Sequence, residues 1–144
     1  MKKLLSILFT AVILVSFNAF ADEEKIQIRK PWGRSATMGA NTAVYMKIIN
    51  LDSKDHELIG VESSLAKTVE LHKTVTEDGV SKMVPVDKLM IPAGQTVKLK
   101  PKGLHVMLFG LTKDLKAGDY IELKLVFKDL DKKIVQASVL KANR

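Results

Sequence analysis

The chain of 144 residues contains no cysteine. This excludes a disulfide framework, a thiolate metal site and a lipid-bearing cysteine. It also argues against an electron-transfer copper centre, which sets a thiolate beside its histidines. There is no His-Glu-x-x-His helix, no glycine-rich phosphate loop and no nucleophile elbow, so no enzyme class is indicated. Lysine and arginine outnumber aspartate and glutamate by 23 to 16, a formal charge of +7. Yet no dense basic run interleaves with aromatics, which argues against nucleic acid as a partner. The scattered lysines read as a solvated outer face, mildly suited to an anionic membrane surface or an acidic partner patch. No internal repeat, low-complexity linker or amphipathic helix of useful length is present.

What is there begins with a leader. Met1-Lys2-Lys3 is positive, residues 4–17 are mainly apolar, and Ala19-Phe20-Ala21 offers a small-x-small cleavage site before Asp22. The apolar run is shorter than the roughly 20 residues of a spanning helix, so residues 1–21 are expected to be a cleaved signal peptide. The mature chain, residues 22–144, is expected to be one exported domain with a formal charge of +5 once Lys2 and Lys3 are gone. It is long enough to bury a core without staples.

The mature chain reads as short strands. Segments 25–29 (ended by Pro31), 42–49, 57–61, 68–75, 80–86, 95–100, 105–109, 120–127 and 134–140 alternate or are β-branched, with turn residues between them. Residues 63–67 are a connection with room for one helical turn, and Trp32 reads as a core-edge anchor. In the segment 120–127, Ile121, Leu123, Leu125 and Phe127 share one face. In 134–140, Val135, Ala137 and Val139 do. This pattern predicts an all-β sandwich or barrel.

Four residues carry candidate chemistry: His72, Met83, His105 and Met107. Imidazole nitrogen and thioether sulfur together suit a soft monovalent ion, with Cu(I) foremost. His105 and Met107 form an i, i+2 pair, so a strand puts both on one face. His72 and Met83 flank the turn Thr76-Glu-Asp-Gly79. A loop at Glu77-Asp78 would set them directly opposite, and a loop at Asp78-Gly79 would make them diagonal neighbours on one face. A three-residue loop would separate their faces unless a bulge restored the phase. His56, Met46 and Met90 read as satisfied or packing residues, and nothing in the sequence assigns Met38.

The spacing His-x10-Met-x21-His-x-Met resembles the motif of the periplasmic copper chaperone family called PCuAC. Pro31-Trp-Gly-Arg34, Ala43-Val-Tyr45, Ile91-Pro-Ala-Gly94, Leu99-Lys-Pro101 and Leu104-His-Val-Met-Leu-Phe-Gly-Leu111 agree with it, and the likeness covers most of the chain after residue 25. The resemblance implies a cupredoxin-like Greek-key β-sandwich in the periplasm. It implies a monomer that binds Cu(I) through His72, Met83, His105 and Met107 and passes it to a copper-accepting protein, a cytochrome c oxidase subunit or another copper chaperone. Some relatives carry a His/Met-rich C-terminal extension. This sequence ends Ser138-Val-Leu-Lys-Ala-Asn-Arg144, which argues against a second, Cu(II) site. The competing expectation is an exported β-sandwich interaction module with no role in metal transfer.

Overall fold

The computed structural model describes residues 24–142. The expected signal peptide therefore lies outside the described residues. Ten strands run in chain order: β1 (Ile26–Arg34), β2 (Thr42–Asn50), β3 (His56–Glu62), β4 (Ala66–Glu77), β5 (Val80–Pro85), β6 (Leu89–Ile91), β7 (Thr96–Leu99), β8 (Leu104–Leu111), β9 (Tyr120–Phe127) and β10 (Lys133–Leu140). Among the described residues there is no helix, and the connection between β3 and β4, which had room for one helical turn, is a plain turn.

Hydrogen bonding follows a single path, β5-β4-β8-β2-β1-β10-β9-β3-β6, with β7 pairing β2 from the side. The β1–β10 pairing is parallel and all others are antiparallel. The path curls back so that β3 packs on β4 and β6 on β2, which gives the expected sandwich. The core lies between its two halves. One half contributes Val44, Met46 and Ile48 of β2 with Val106 and Leu108 of β8. The other contributes Ile121, Leu123, Leu125 and Phe127 of β9 with Val135, Ala137 and Val139 of β10, all buried. The alternation read from the sequence is thus the alternation of the fold. Burying these side chains removes apolar surface from water at about 25 cal/mol per Å², the main stabilising term.

β1 departs from expectation. It does not stop at Pro31 but continues to Arg34, with its pairing to β2 shifted between Arg29 and Trp32. Pro31 has no N–H to donate, and such a residue is tolerated in a sheet at a bulge. Lys30 takes a left-handed φ of 48° to make the shift. Beyond the bulge, Trp32 pairs with Tyr45 and Gly33 with Val44. Gly33 is closely packed: a Cβ there would lie 2.8 Å from Ile121 Cδ1 and 3.2 Å from the Ala43 carbonyl oxygen, so a larger residue would force these neighbours to shift. The bulge therefore carries Trp32 to the outer face beside the strands that bear the candidate ligands.

Candidate metal centre

Three neighbouring strands, β5, β4 and β8, bring the candidate residues together. On β8 the even positions Val106 and Leu108 point into the core, so His105, Met107 and Phe109 point outward. On β4, Leu71 points inward and His72 outward by the same rule. The antiparallel register sets His72 directly across from His105 and Glu70 directly across from Met107. The two imidazole centroids are 5.9 Å apart.

Met83 arrives by the β4–β5 hairpin. Glu77 pairs with Val80, so the loop is Asp78-Gly79, the second of the registers open to the sequence. Both loop residues take positive φ, 50° and 76°, the requirement of the primed two-residue turn whose twist matches that of its strands. Met83 then pairs with Thr74 and Pro85 with His72. Met83 is thus a diagonal neighbour of His72 on the outward face, within about 7–8 Å between backbone positions. Met83 is 58% exposed on the outermost strand of the path, whereas Met107 is half-buried.

Although they lie on an outer face, His72 and His105 are only 8% and 2% exposed. Aromatic side chains cover them. The Phe109 ring is centred 5.5 Å from that of His72 and the Tyr45 ring 6.3 Å from that of His105. Trp32 packs on Tyr45 at 4.6 Å, and the Arg34 guanidinium lies 6.0 Å from each of those two rings. This shield joins residues from β1, β2 and β8.

The hydrogen bonds fix both imidazoles in opposite orientations. His105 Nδ1 is 3.0 Å from the Gly103 carbonyl oxygen. A carbonyl only accepts, so Nδ1 carries the proton and Nε2 keeps its lone pair. His72 Nε2 donates to Glu70 Oε2 at 2.7 Å, which leaves the lone pair on Nδ1. His72 Nδ1 and His105 Nε2 are both buried and have no hydrogen-bond partner. A buried unsatisfied polar atom costs about 1–3 kcal/mol, so two facing each other across β4 and β8 are the pair that a water or an ion would satisfy. Among the described residues, no three His, Asp or Glu side chains form a group able to hold a metal. Further metal-binding side chains on this outer face are the thioethers of Met107 and Met83, which are soft donors.

The structure also places residues that the spacing did not single out. Glu70, Gly103, Tyr45 and Phe109 all lie against the histidines, with Trp32 packed on Tyr45. Glu70 was legible by the i, i+2 rule that joins His105 to Met107; the shield depends on long-range register. His56 is buried and fully satisfied, its Nε2 2.8 Å from Asp52 and its Nδ1 3.0 Å from Asp129. Burial by itself would depress the His56 pKa, but the bonds to Asp129 and Asp52 outweigh it and raise the pKa above the ordinary 6.5. Both carboxyls are lowered below 3.8, chiefly by His56. Met46 is core packing as expected, but Met90 is exposed, because it alternates with the buried Ile91 of the same short strand. Met38 lies in an exposed loop, its N–H bonded to Asp114.

A family model described as "Putative lipoprotein LpqE-like" matches residues 26–139. "Putative lipoprotein Lxx21020" of Leifsonia xyli subsp. xyli (strain CTCB07) is 38% identical over 105 residues, which cover 72% of this chain and 63% of that one. The match therefore spans less than two thirds of that relative's length. Lipid attachment of the kind that name denotes needs a cysteine, and these 144 residues have none. Among solved structures, "Copper-bound PCuAC domain from PmoF2" superposes with a TM-score of 0.69 at 28% identity, covering 82% of this chain and 94% of that one. "Solution structure of CuI-DR1885 from Deinococcus Radiodurans" gives 0.57 at 29% identity, covering 83% and 82%. The fold is the cupredoxin-like sandwich of these domains.

Proposed function

This chain belongs to the LpqE-like family, and we propose that it is an exported copper carrier that holds one Cu(I) among His72, Met83, His105 and Met107. The observation that carries this reading is the pair of buried, partnerless nitrogens, His72 Nδ1 and His105 Nε2, with one methionine beside them on β8 and another diagonal to them on β5. Two solved relatives of the same fold are described as copper-bound. Thioethers are neutral, soft and poor ligands for Zn²⁺ or Cu²⁺, so the set favours Cu(I). Only the imidazoles compete with protons for the metal.

The arrangement suits transfer. The histidines are held under aromatic cover, while Met83 is exposed on the outermost strand of the path. A partner's ligand can displace Met83 first without unfolding the sandwich, and Cu(I) then leaves by ligand exchange with no redox step. The acceptor in this reading is a copper-binding protein of the same compartment, a cytochrome c oxidase copper centre or another chaperone. The leader is removed after Ala21, and the carrier works as a periplasmic monomer without enzymatic activity.

Titration of the mature domain with Cu(I), in competition with a chromophoric Cu(I) chelator, tests the binding. One equivalent should bind tightly, and equimolar Zn²⁺ should not displace it. Tighter binding of zinc, no copper binding, or saturation well above one equivalent would overturn the reading. For delivery, variants at the four residues should fail to restore oxidase activity in cells lacking the protein.

A further inference from the structure

We infer that Glu70 is a positioning residue that selects which ring nitrogen of His72 faces the metal. The inference rests on the copper reading of the site. Glu70 and His72 stand two apart on β4, share its outer face and are joined by the 2.7 Å bond from His72 Nε2–H to Glu70 Oε2. With that proton held on Nε2, the free lone pair is on Nδ1, the atom left buried and unpartnered. The ring of His105 is fixed the other way, by the backbone carbonyl of Gly103, which no side-chain substitution removes. Glu70 is therefore the side chain on which the asymmetry of the pair depends.

The asymmetry has a geometric consequence. Nδ1 is bonded to the ring carbon that carries Cβ, whereas Nε2 lies one atom further out. His72 thus offers its donor from near its root, and His105 from the tip of its ring. Were the His72 ring to turn over, its donor would move outward and the spacing to the other three ligands would change. A carboxylate behind a ligating imidazole also raises its donor strength and holds its plane, and loss of such outer partners costs about 10–100-fold in metal affinity. The Glu70 side chain is 44% exposed, so its charge remains hydrated and the carboxylate is not itself a buried unpaired group.

The test combines a readout on the metal-free protein with one on copper. In ¹⁵N-labelled apo protein, long-range ¹H–¹⁵N correlations through the ring protons distinguish the two tautomers. His72 should carry its proton on Nε2 and His105 on Nδ1. Glu70→Ala should convert His72 to a mixture of tautomers, leave the His105 pattern intact as a sign of an intact fold, and weaken Cu(I) binding about 10–100-fold. Glu70→Gln keeps an oxygen that accepts the Nε2 proton, so it should keep the His72 pattern and lose less affinity. An Nδ1-protonated His72 in the wild type, an unchanged His72 pattern in Glu70→Ala, or wild-type copper affinity in Glu70→Ala would overturn the role. Wild-type protein with the expected tautomers but no affinity for Cu(I) would instead overturn the carrier reading.

Discussion

Replacing His105 with leucine is expected to weaken Cu(I) binding by roughly 100-fold or more while leaving the apo domain about as stable as the wild type. Loss of an outer partner of a metal ligand already costs up to about 100-fold, so loss of the ligand costs at least that. The stability expectation follows from His105 Nε2, which is buried without a partner in the apo fold. Removing it relieves a penalty of about 1–3 kcal/mol. Against this stands the lost bond to the Gly103 carbonyl, worth about 1 kcal/mol. Leucine has similar volume and gains from burial against Tyr45. The two measurements are a chelator competition and an apo thermal melt. A variant that lost several kcal/mol of stability and kept its copper would show that His105 is a packing residue.

The opposite outcome is expected at His56. His56→Ala should lower stability by about 2 kcal/mol, within the usual range for loss of a buried, doubly hydrogen-bonded side chain, and leave Cu(I) affinity unaltered. His56 is on β3, which carries none of the four proposed ligands. The loss should also depend on pH. The raised His56 pKa means that its contribution is complete below the unfolded value of 6.5 and fades as pH rises through the higher folded value. The lowered carboxyls of Asp52 and Asp129 contribute above 3.8 and lose that contribution as pH falls through their folded values. The difference between wild type and variant should therefore be largest between about pH 4 and 6.5 and shrink on either side. Chemical denaturation across that range reads it directly. A flat difference would remove the ionic account, and a parallel loss of copper affinity would extend the metal site to β3.

Much of this was written in the sequence because it depends on neighbours along the chain. The period-two pattern of Ile121, Leu123, Leu125 and Phe127 gave their burial, and the i, i+2 spacing of His105 and Met107 gave their shared face. The hairpin left two registers that united His72 with Met83. The one adopted puts the strain-tolerant Asp78 and Gly79 at the positions needing positive φ. Met90 was misread because its apolar character outweighed alternation with Ile91. Pro31 looked like a strand end because the bulge that accommodates it depends on Lys30 adopting an uncommon φ. The shield over the histidines was not legible at all. It needs Trp32 on Tyr45, Tyr45 beside His105 and Phe109 beside His72, and that follows from the order of β1, β2, β8 and β4 in the sheet, which the spacing of residues within each strand does not reveal.

The central claim is that one Cu(I) sits among two histidines and two particular methionines. Cu(I) is diamagnetic, so methyl spectra of a ¹³C-methyl-methionine-labelled mature domain test it most directly. After cleavage the domain would hold five methionines: Met38, Met46, Met83, Met90 and Met107. On titration, the Met83 and Met107 methyl signals should move together and stop moving at one equivalent, while Met38, Met46 and Met90 stay in place. Displacement of Met38 or Met90 in their stead, or no displacement of Met83 and Met107 with copper bound, would contradict the account.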